Sequence, residues 1–337
     1  MCKHELIPLS ESSQWQKELE GIPHAFAHTW DSCYAMYLTH GKDTYLYTFR
    51  DGDVRIVCPI VERDFEGYKD VATPFGISGF VGTKPYPGFR EKWIKFATNR
   101  NYVCGYFSLN PLFTDTSYYR SAEAYVYNEV FIQDLSRPIE EIFTGFSKNR
   151  KRYLKQSWMK NEGKITLDRE KLAKFFIENY HAFMKRCNAS SAYDFSYDTL
   201  SALVNAENLI ITGIEDEGSI VAVSLFPYTS YMSNYLFNIH CDSGRAFSTS
   251  LIWQGIIMLN ELEIPYLDYG GGHFQDDPRN QFKKSFHPDK FLLTGLKQVY
   301  DVRVYEALCR EASIDPDTRI GYFPGYHADS RLDAHYQ

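Results

Sequence analysis

The chain has 337 residues and a formal net charge of −7, a balance that argues against broad non-specific binding to nucleic acid, since neutralising phosphates needs net positive surface, while still allowing a local basic patch. With 44% apolar and 23% charged residues it is a globular chain, long enough for one large domain or two of ordinary size. Seven scattered cysteines, none spaced as C-x-x-C, fit reduced thiols in a cytoplasm. The N-terminus MCKHELIPLS lacks a signal-peptide core and no stretch nears the about 20 apolar residues of a membrane span, so a soluble cytoplasmic protein without membrane insertion is expected. The 26 Tyr and 24 Phe suit pockets built from stiff, amphipathic side chains.

In chain order, Ser10 can cap a helix to about Glu20, and Trp30 to His40 forms another. Thr44–Arg50 and Val54–Val61 read as strands across an Asp51-Gly52-Asp53 turn. Residues 68–83 interleave Pro74, Gly76, Gly79 and Gly82 with aromatics, which lets backbone approach a ligand or simply makes turns. Neither phosphate-loop signature is present, and Phe80 stands where a G-x-S-x-G elbow needs its last glycine, which argues against a serine hydrolase. A helix over Pro87–Arg100 and strands over Tyr102–Leu109 and Ala124–Ile132 follow.

Pro138 to Lys160 reads as one long helix in which Phe143, Phe146, Arg150, Tyr153 and Ser157 share a stripe. Lys148, Lys151, Arg152 and Lys155 fall on a second stripe, most simply a solvated face. An arginine on an otherwise apolar stripe needs a carboxylate or a phosphate, so Arg150 is either an internal ion pair or a substrate contact. A helix over Glu170–Arg186 precedes a hairpin of Leu209–Ile214 and Ile220–Leu225 around Asp216-Glu217-Gly218. A strand over Met232–Cys241, a helix from Phe247 to Leu262, a strand over Tyr266–Tyr269 ending in Gly270-Gly271-Gly272, and a strand near Leu292-Leu293 complete the series.

A strand entering a helix through small residues makes an anion site, because the helix start offers unpaired amides and the positive dipole end. Arg245, Phe247, Ser248, Thr249 and Ser250 occupy that position; the hydroxyls equally suit a plain N-cap.

The segments Asp70–Phe80, Phe146-Ser-Lys148-Asn-Arg150, Gly270-Gly271-Gly272 and Gln281-Phe-Lys283-Lys-Ser-Phe286 together resemble the FemAB-like branch of the GNAT acyltransferase superfamily, the last being close to its F-K-x-x-F segment. The resemblance implies an α/β fold of two tandem GNAT-like units, each a mixed, mostly antiparallel sheet flanked by helices: 1–137, 138–305 with the acyl-donor site, and an irregular tail over 306–337. It implies transfer of an acyl group to an amine, with the strand Asn234–Cys241 polarising the reacting carbonyl and the helix near Phe247 receiving the pyrophosphate of coenzyme A. Ser243-Gly244-Arg245-Ala246 only approximates the usual pyrophosphate loop.

Such a transfer needs a neutral amine and a stabilised oxyanion. His240 and His273 are candidate proton acceptors near the sheet end, though a histidine is more often a packed or exposed bystander, and Asp268 could orient one of them. Lys283 matches the family lysine, or else balances Asp276, Asp277 and Asp289 at the surface. Phe75, Gly76, Lys148, Arg150, Tyr193, Tyr235 and Asn238 are candidate substrate contacts, with packing the competing role for the tyrosines. His240 and Cys241 point to opposite faces as strand neighbours, against a covalent cysteine mechanism, and no metal-ligand spacing occurs. The expected function is acyl-CoA-dependent N-acylation of a nucleotide-linked amino sugar in bacterial surface polysaccharide biosynthesis, with small-molecule partners. The alternative is an aminoacyl-tRNA-dependent peptidoglycan bridge ligase, the one reading in which tRNA is a partner.

Overall fold

The structure, a computed structural model, describes residues 2–271, 278–317 and 321–327. Two compact units emerge. One comprises Met1–Tyr127, Ser190–Thr199 and Leu293–Gln337; the other comprises Asn128–Ala189 and Leu200–Leu292.

In the first unit, strands Lys3–Pro8, Thr44–Asp51, Val54–Phe65 and Tyr68–Ala72 pair antiparallel in that order, and Tyr68–Ala72 continues parallel to Tyr102–Leu109. Thr294–Val299 then lies antiparallel on Tyr102–Leu109. The Asp51–Val54 register confirms the expected hairpin. Trp93 from the Phe89–Asn99 helix buries its ring among Tyr47, Phe80 and Phe107, an aromatic core worth more per side chain than aliphatic packing of equal number. Every residue of Tyr102–Leu109 is buried, as a central strand covered on both faces should be.

The second unit holds a four-stranded antiparallel sheet of Ile165–Thr166, Leu209–Asp216, Ser219–Pro227 and Phe237–His240. Separately, Ile132–Asp134 pairs antiparallel with Tyr266–Asp268, which pairs parallel with Ser233–Asn234. The single strand expected over Met232–Cys241 is therefore forked. Its first residues join Tyr266–Asp268 and its last join Ser219–Pro227, with Tyr235 and Leu236 at the divide: the amide of Tyr235 donates to Asp268 O and that of Leu236 to Leu225 O. The helix Ser248–Glu261 packs on the four-stranded sheet through Leu251, Ile252 and Ile256, each wholly buried.

The expected helix from Pro138 to Lys160 is two helices, Ile139–Gly145 and Lys148–Asn161. Phe146 and Ser147 are extended between them, and Ser147 Oγ accepts from the amide of Arg150 at 3.2 Å, an N-cap that the apolar spacing concealed. The break lets Phe146 bury its ring against Trp253 and Phe286. Gln281–Phe286, the stretch close to the F-K-x-x-F segment, belongs mostly to a helix over Pro278–Lys284. Near the C-terminus, strand Asp289–Val299 is followed by a helix over Val302–Glu311. Among the described residues no helix is long and apolar enough to cross a membrane.

Candidate functional site

The fork in the second unit ends in a buried carboxylate. Asp268, the last residue of its strand, is 5% exposed. Burial pushes its carboxyl up to about 6, against the opposing pull of the Gly270 amide, Lys283 and Asn234. The Gly270 amide donates to Oδ1 at 2.6 Å and Asn234 Nδ2 to Oδ2 at 3.2 Å. Gly270 adopts a left-handed φ of 72° to fold its amide back, a conformation glycine takes without strain. A Cβ on Gly271 would run into the backbone oxygen of Glu129, so that glycine is set by close packing. Lys283 reaches back from its helix to donate to Gly271 O at 2.8 Å, which ties the turn to the helix.

His240 occupies the far end of the forked stretch, on the four-stranded sheet. Its ring is edge-on to Phe183 at 5.1 Å, and Nδ1 lies 3.0 Å from Cys241 O. Burial, with Arg186 and Arg245 adding to it, lowers its pKa, so the imidazole is neutral at pH 7. His240 and Asp268 sit in different sheets, so the structure does not make them the pair expected from the sequence. His273 lies outside the described residues.

The helix start expected to receive a pyrophosphate is built differently from an open turn. A 3-10 helix over Ser243–Phe247 runs directly into Ser248–Glu261, so the first unpaired amides shift upstream toward Asp242, whose carboxylate is exposed. Gly244 is buried with no room for a Cβ against Val221 O. Ser248 Oγ donates to Asn238 Oδ1 at 3.0 Å, and Asn238 Nδ2 donates to Ser224 Oγ at 2.7 Å; both residues thereby fasten the helix to the sheet. Phe247 packs beside Val221 and Leu251. Ser250 is wholly buried. Arg245 is exposed and makes no ion pair among the described residues. A phosphate can meet Arg245 there, while Gly244, Ser248 and Ser250 are taken up in packing and in fastening the turn.

A cleft of about 350 Å³ opens instead along the first turns of the Lys148–Asn161 helix. It is lined by Ser147, Asn149, Arg150, Arg152, Tyr153, Gln156 and Ser285. Arg150 is half-buried at its floor, with Nε and Nη2 donating to Ser285 Oγ at 2.8 and 2.6 Å and Nη1 donating to Thr249 Oγ1. The guanidinium lies over the Phe282 and Phe286 rings at 4.5 and 4.6 Å. Among the described residues no carboxylate pairs with it, so none of them supplies the internal ion pair allowed by the sequence. Lys148, the neighbouring candidate, is exposed. Tyr153 OH donates to Ala246 O, tying this helix to the start of the next. Tyr235 packs on Phe226 at 5.4 Å, and burial raises its phenol.

Phe75, Gly76 and Tyr193 come together in the first unit. Phe75 is edge-on to Tyr193 at 5.7 Å and to Phe195 at 5.2 Å. Gly76 has φ 109°, and a Cβ there would stand 2.8 Å from Ala27 Cβ. The segment carrying Tyr193 is held in this unit by Thr39 and Thr199, whose hydroxyls are 2.6 Å apart.

The residues that sequence reasoning passed over are Ser285, Asn234 and Tyr269. Phe282 and Phe286 bracket Ser285 at a spacing of four, a stacking platform for a guanidinium, and that was the available signal. Tyr269 simply read as the last residue of an apolar strand.

No family model matches the chain, and no curated protein matches it in sequence. Its structure is similar to the crystal structure of FemX, with TM-score 0.67 over 90% of this chain and 99% of that one at 11% identity. The fold is FemX-like. The C-terminal domain of a putative lysylphosphatidylglycerol synthetase from Agrobacterium fabrum gives TM-score 0.55 at 12% identity, covering 89% of this chain and 96% of that one. The structure of L-PGS from Bacillus licheniformis gives 0.53 at 13%, over 89% and 96%. At these identities the likeness is one of fold. The FemX-like fold agrees with the expected tandem GNAT-like α/β class and the FemAB-like resemblance.

Proposed function

We propose that this chain is an N-acyltransferase that moves an acyl group from acyl-CoA to the amine of a nucleotide-linked amino sugar, by direct attack without a covalent intermediate. The observation that carries this reading is the carboxylate of Asp268, buried beside the first residues of the forked strand and raised to about 6. The attacking amine must give up a proton as the C–N bond forms, and an acceptor with pKa near ambient pH is suited to take it. Lys283, fixed on the Gly270–Gly271 turn, supplies positive charge for the developing oxyanion. The outer edge of Phe237–His240, the end strand of its sheet, offers amides in the same cause. Neutral His240 serves as a second proton acceptor at the strand's far end. When bound, coenzyme A supplies an activated thioester, and Arg245 is suited to one of its phosphates.

A second reading has support of its own. The FemX-like fold, and a helix with Lys148, Arg150, Lys151, Arg152 and Lys155 free of ion pairs among the described residues, fit an aminoacyl-tRNA donor and peptidoglycan bridge synthesis. The test is to incubate the purified protein with a panel of acyl-CoAs and nucleotide amino sugars and to follow free thiol release. Turnover supports the first reading. Silence across the panel together with transfer from charged tRNA overturns it.

A further inference from the structure

Arg150 brings a charge into the second unit that no carboxylate among the described residues neutralises. Of the five N–H bonds of a guanidinium, three are engaged, by Ser285 twice and Thr249 once, which leaves two for a further acceptor, one on each Nη. Ser285 Oγ has spent its proton on Phe282 O at 2.5 Å. It therefore orients the guanidinium without adding negative charge. The stacked rings of Phe282 and Phe286 favour the cation and fix its plane. An arginine held flat on hydroxyls and aromatic rings, with two N–H bonds to spare, is preorganised for a planar or tetrahedral oxyanion.

The rest of the cleft agrees. The Lys148–Asn161 helix begins at its rim. Ser147 caps the Arg150 amide and its carbonyl takes the Lys151 amide, so the amides of Lys148 and Asn149 have no intrahelical acceptor. Arg152 adds a second cation to the lining, Asn149 and Gln156 add amides, and among the described residues no acid lines the cleft. Beside the guanidinium, Tyr269 is 2% exposed, stacks on Phe286 at 5.4 Å, and carries a hydroxyl with no hydrogen-bond partner among the described residues. A buried donor left unmet is costly and calls for a ligand or an ordered water. At about 350 Å³ the cleft is the size of a small-molecule subsite rather than of a lone ion.

We infer that the Arg150 cleft is a phosphate-binding site, taking a phosphate monoester or diphosphate group of a substrate. The site stands on its own geometry; only the identity of the molecule bearing the phosphate rests on the acyl-transfer reading. That phosphate could belong to the acyl donor or to the acceptor.

The experiment titrates inorganic phosphate into the full chain and follows the arginine Nε–Hε resonances by NMR, with calorimetry for affinity. The Arg150 resonance is expected to shift and saturate, and Arg150→Gln to weaken phosphate by about ten- to a hundredfold. Asn149→Asp, which leaves every bond of Arg150 in place, should weaken it by about tenfold through repulsion. Competition by coenzyme A but not uridine diphosphate assigns the phosphate to the donor, and the reverse assigns it to the acceptor. A wild-type Arg150 resonance that ignores phosphate overturns the inference even if Arg150→Gln fails to fold. So does unchanged affinity in Asn149→Asp. Phosphate binding without acyl transfer to any acceptor overturns the functional reading and leaves the site standing.

Discussion

Arg150 and Ser285, 135 positions apart, share two hydrogen bonds through a single hydroxyl oxygen, at 2.8 Å from Nε and 2.6 Å from Nη2. The Ser147 amide adds a third tie by donating to Ser285 O at 3.0 Å. Together they clamp the start of the Lys148–Asn161 helix to the end of Pro278–Lys284. Ser285→Ala keeps the backbone tie but leaves a half-buried guanidinium short of its acceptor. The expected loss is about 1–3 kcal/mol, read as a lower urea midpoint at unchanged slope. Ser285→Thr, which keeps the oxygen, should restore most of it.

Asp268 makes a prediction about pH with a definite sign. Its folded carboxyl is raised to about 6 from an ordinary 3.8, so across that window the folded state holds a proton that the unfolded state has lost. Stability from this group is fully present below the ordinary value and is lost as pH rises through about 6. Asp268→Asn stays neutral throughout, and Asn234 can turn its amide to meet the new donor. The variant should gain about 2–3 kcal/mol over wild type between pH 4 and 7, while acyl transfer falls by about 10²–10⁴-fold. Wild-type activity should rise with pH and level off above about 6. Equal stability of the two proteins at pH 7 would refute the buried, raised carboxyl.

Gly244 separates packing from ligand binding at the turn before Ser248. The backbone there presses on Val221 O and Ala222 Cβ, leaving no space for a methyl. Gly244→Ala should cost about 1–3 kcal/mol and lower Tm, whereas Arg245→Gln, on an exposed side chain, should leave Tm unchanged. Thermal denaturation of both variants side by side decides it. A Gly244→Ala protein as stable as wild type would mean that the turn is looser than described.

The strand and helix order was legible because hydrophobic periods of two and of 3.6 persist through this chain: Thr44–Asp51 and Val54–Phe65 across their Asp-Gly turn, and the Ser248–Glu261 helix with its buried Leu251, Ile252 and Ile256. Arg150 was also legible as a residue in need of a partner, since a charge on an apolar stripe is a local conflict. What escaped was everything decided by non-local contacts. Ser147 interrupts a helical pattern that local spacing carries straight through, because burial of Phe146 against Trp253 and Phe286 outweighs helix continuity. The fork at Tyr235 and Leu236 depends on which of two sheets each amide reaches, and no single-strand pattern encodes that. The hydrogen bonds by which Asn238 and Ser248 fasten the helix to the sheet escaped too, because polar residues beside a helix start look alike whether they bind a ligand or hold the helix.

The first unit contains a buried polar cluster that sequence periodicity could not reveal, and it supports a last prediction. Asp70, 1% exposed, is met by the Tyr326 hydroxyl at 2.9 Å from each carboxylate oxygen, by His327 Nε2 at 2.9 Å and by the Cys104 amide at 3.2 Å. Tyr326 and His327 also pack on Phe65, at 5.0 and 4.8 Å, so Asp70 anchors the segment Gly321–His327 to the strand Tyr68–Ala72. An amide at this position would turn one acceptor oxygen into a donor that faces other donors. Asp70→Asn should therefore cost about 2–4 kcal/mol, since an uncompensated change at a buried network leaves several groups unpaired at once. His327→Phe loses one of the donors but keeps a ring for Phe65 to pack on, and should cost about half as much. Thermal denaturation gives the order. Limited proteolysis gives the place: cleavage beyond Glu311 should accelerate in Asp70→Asn well before the rest of the unit becomes susceptible. If both variants melt with wild type and resist protease equally, the cluster does not anchor this segment.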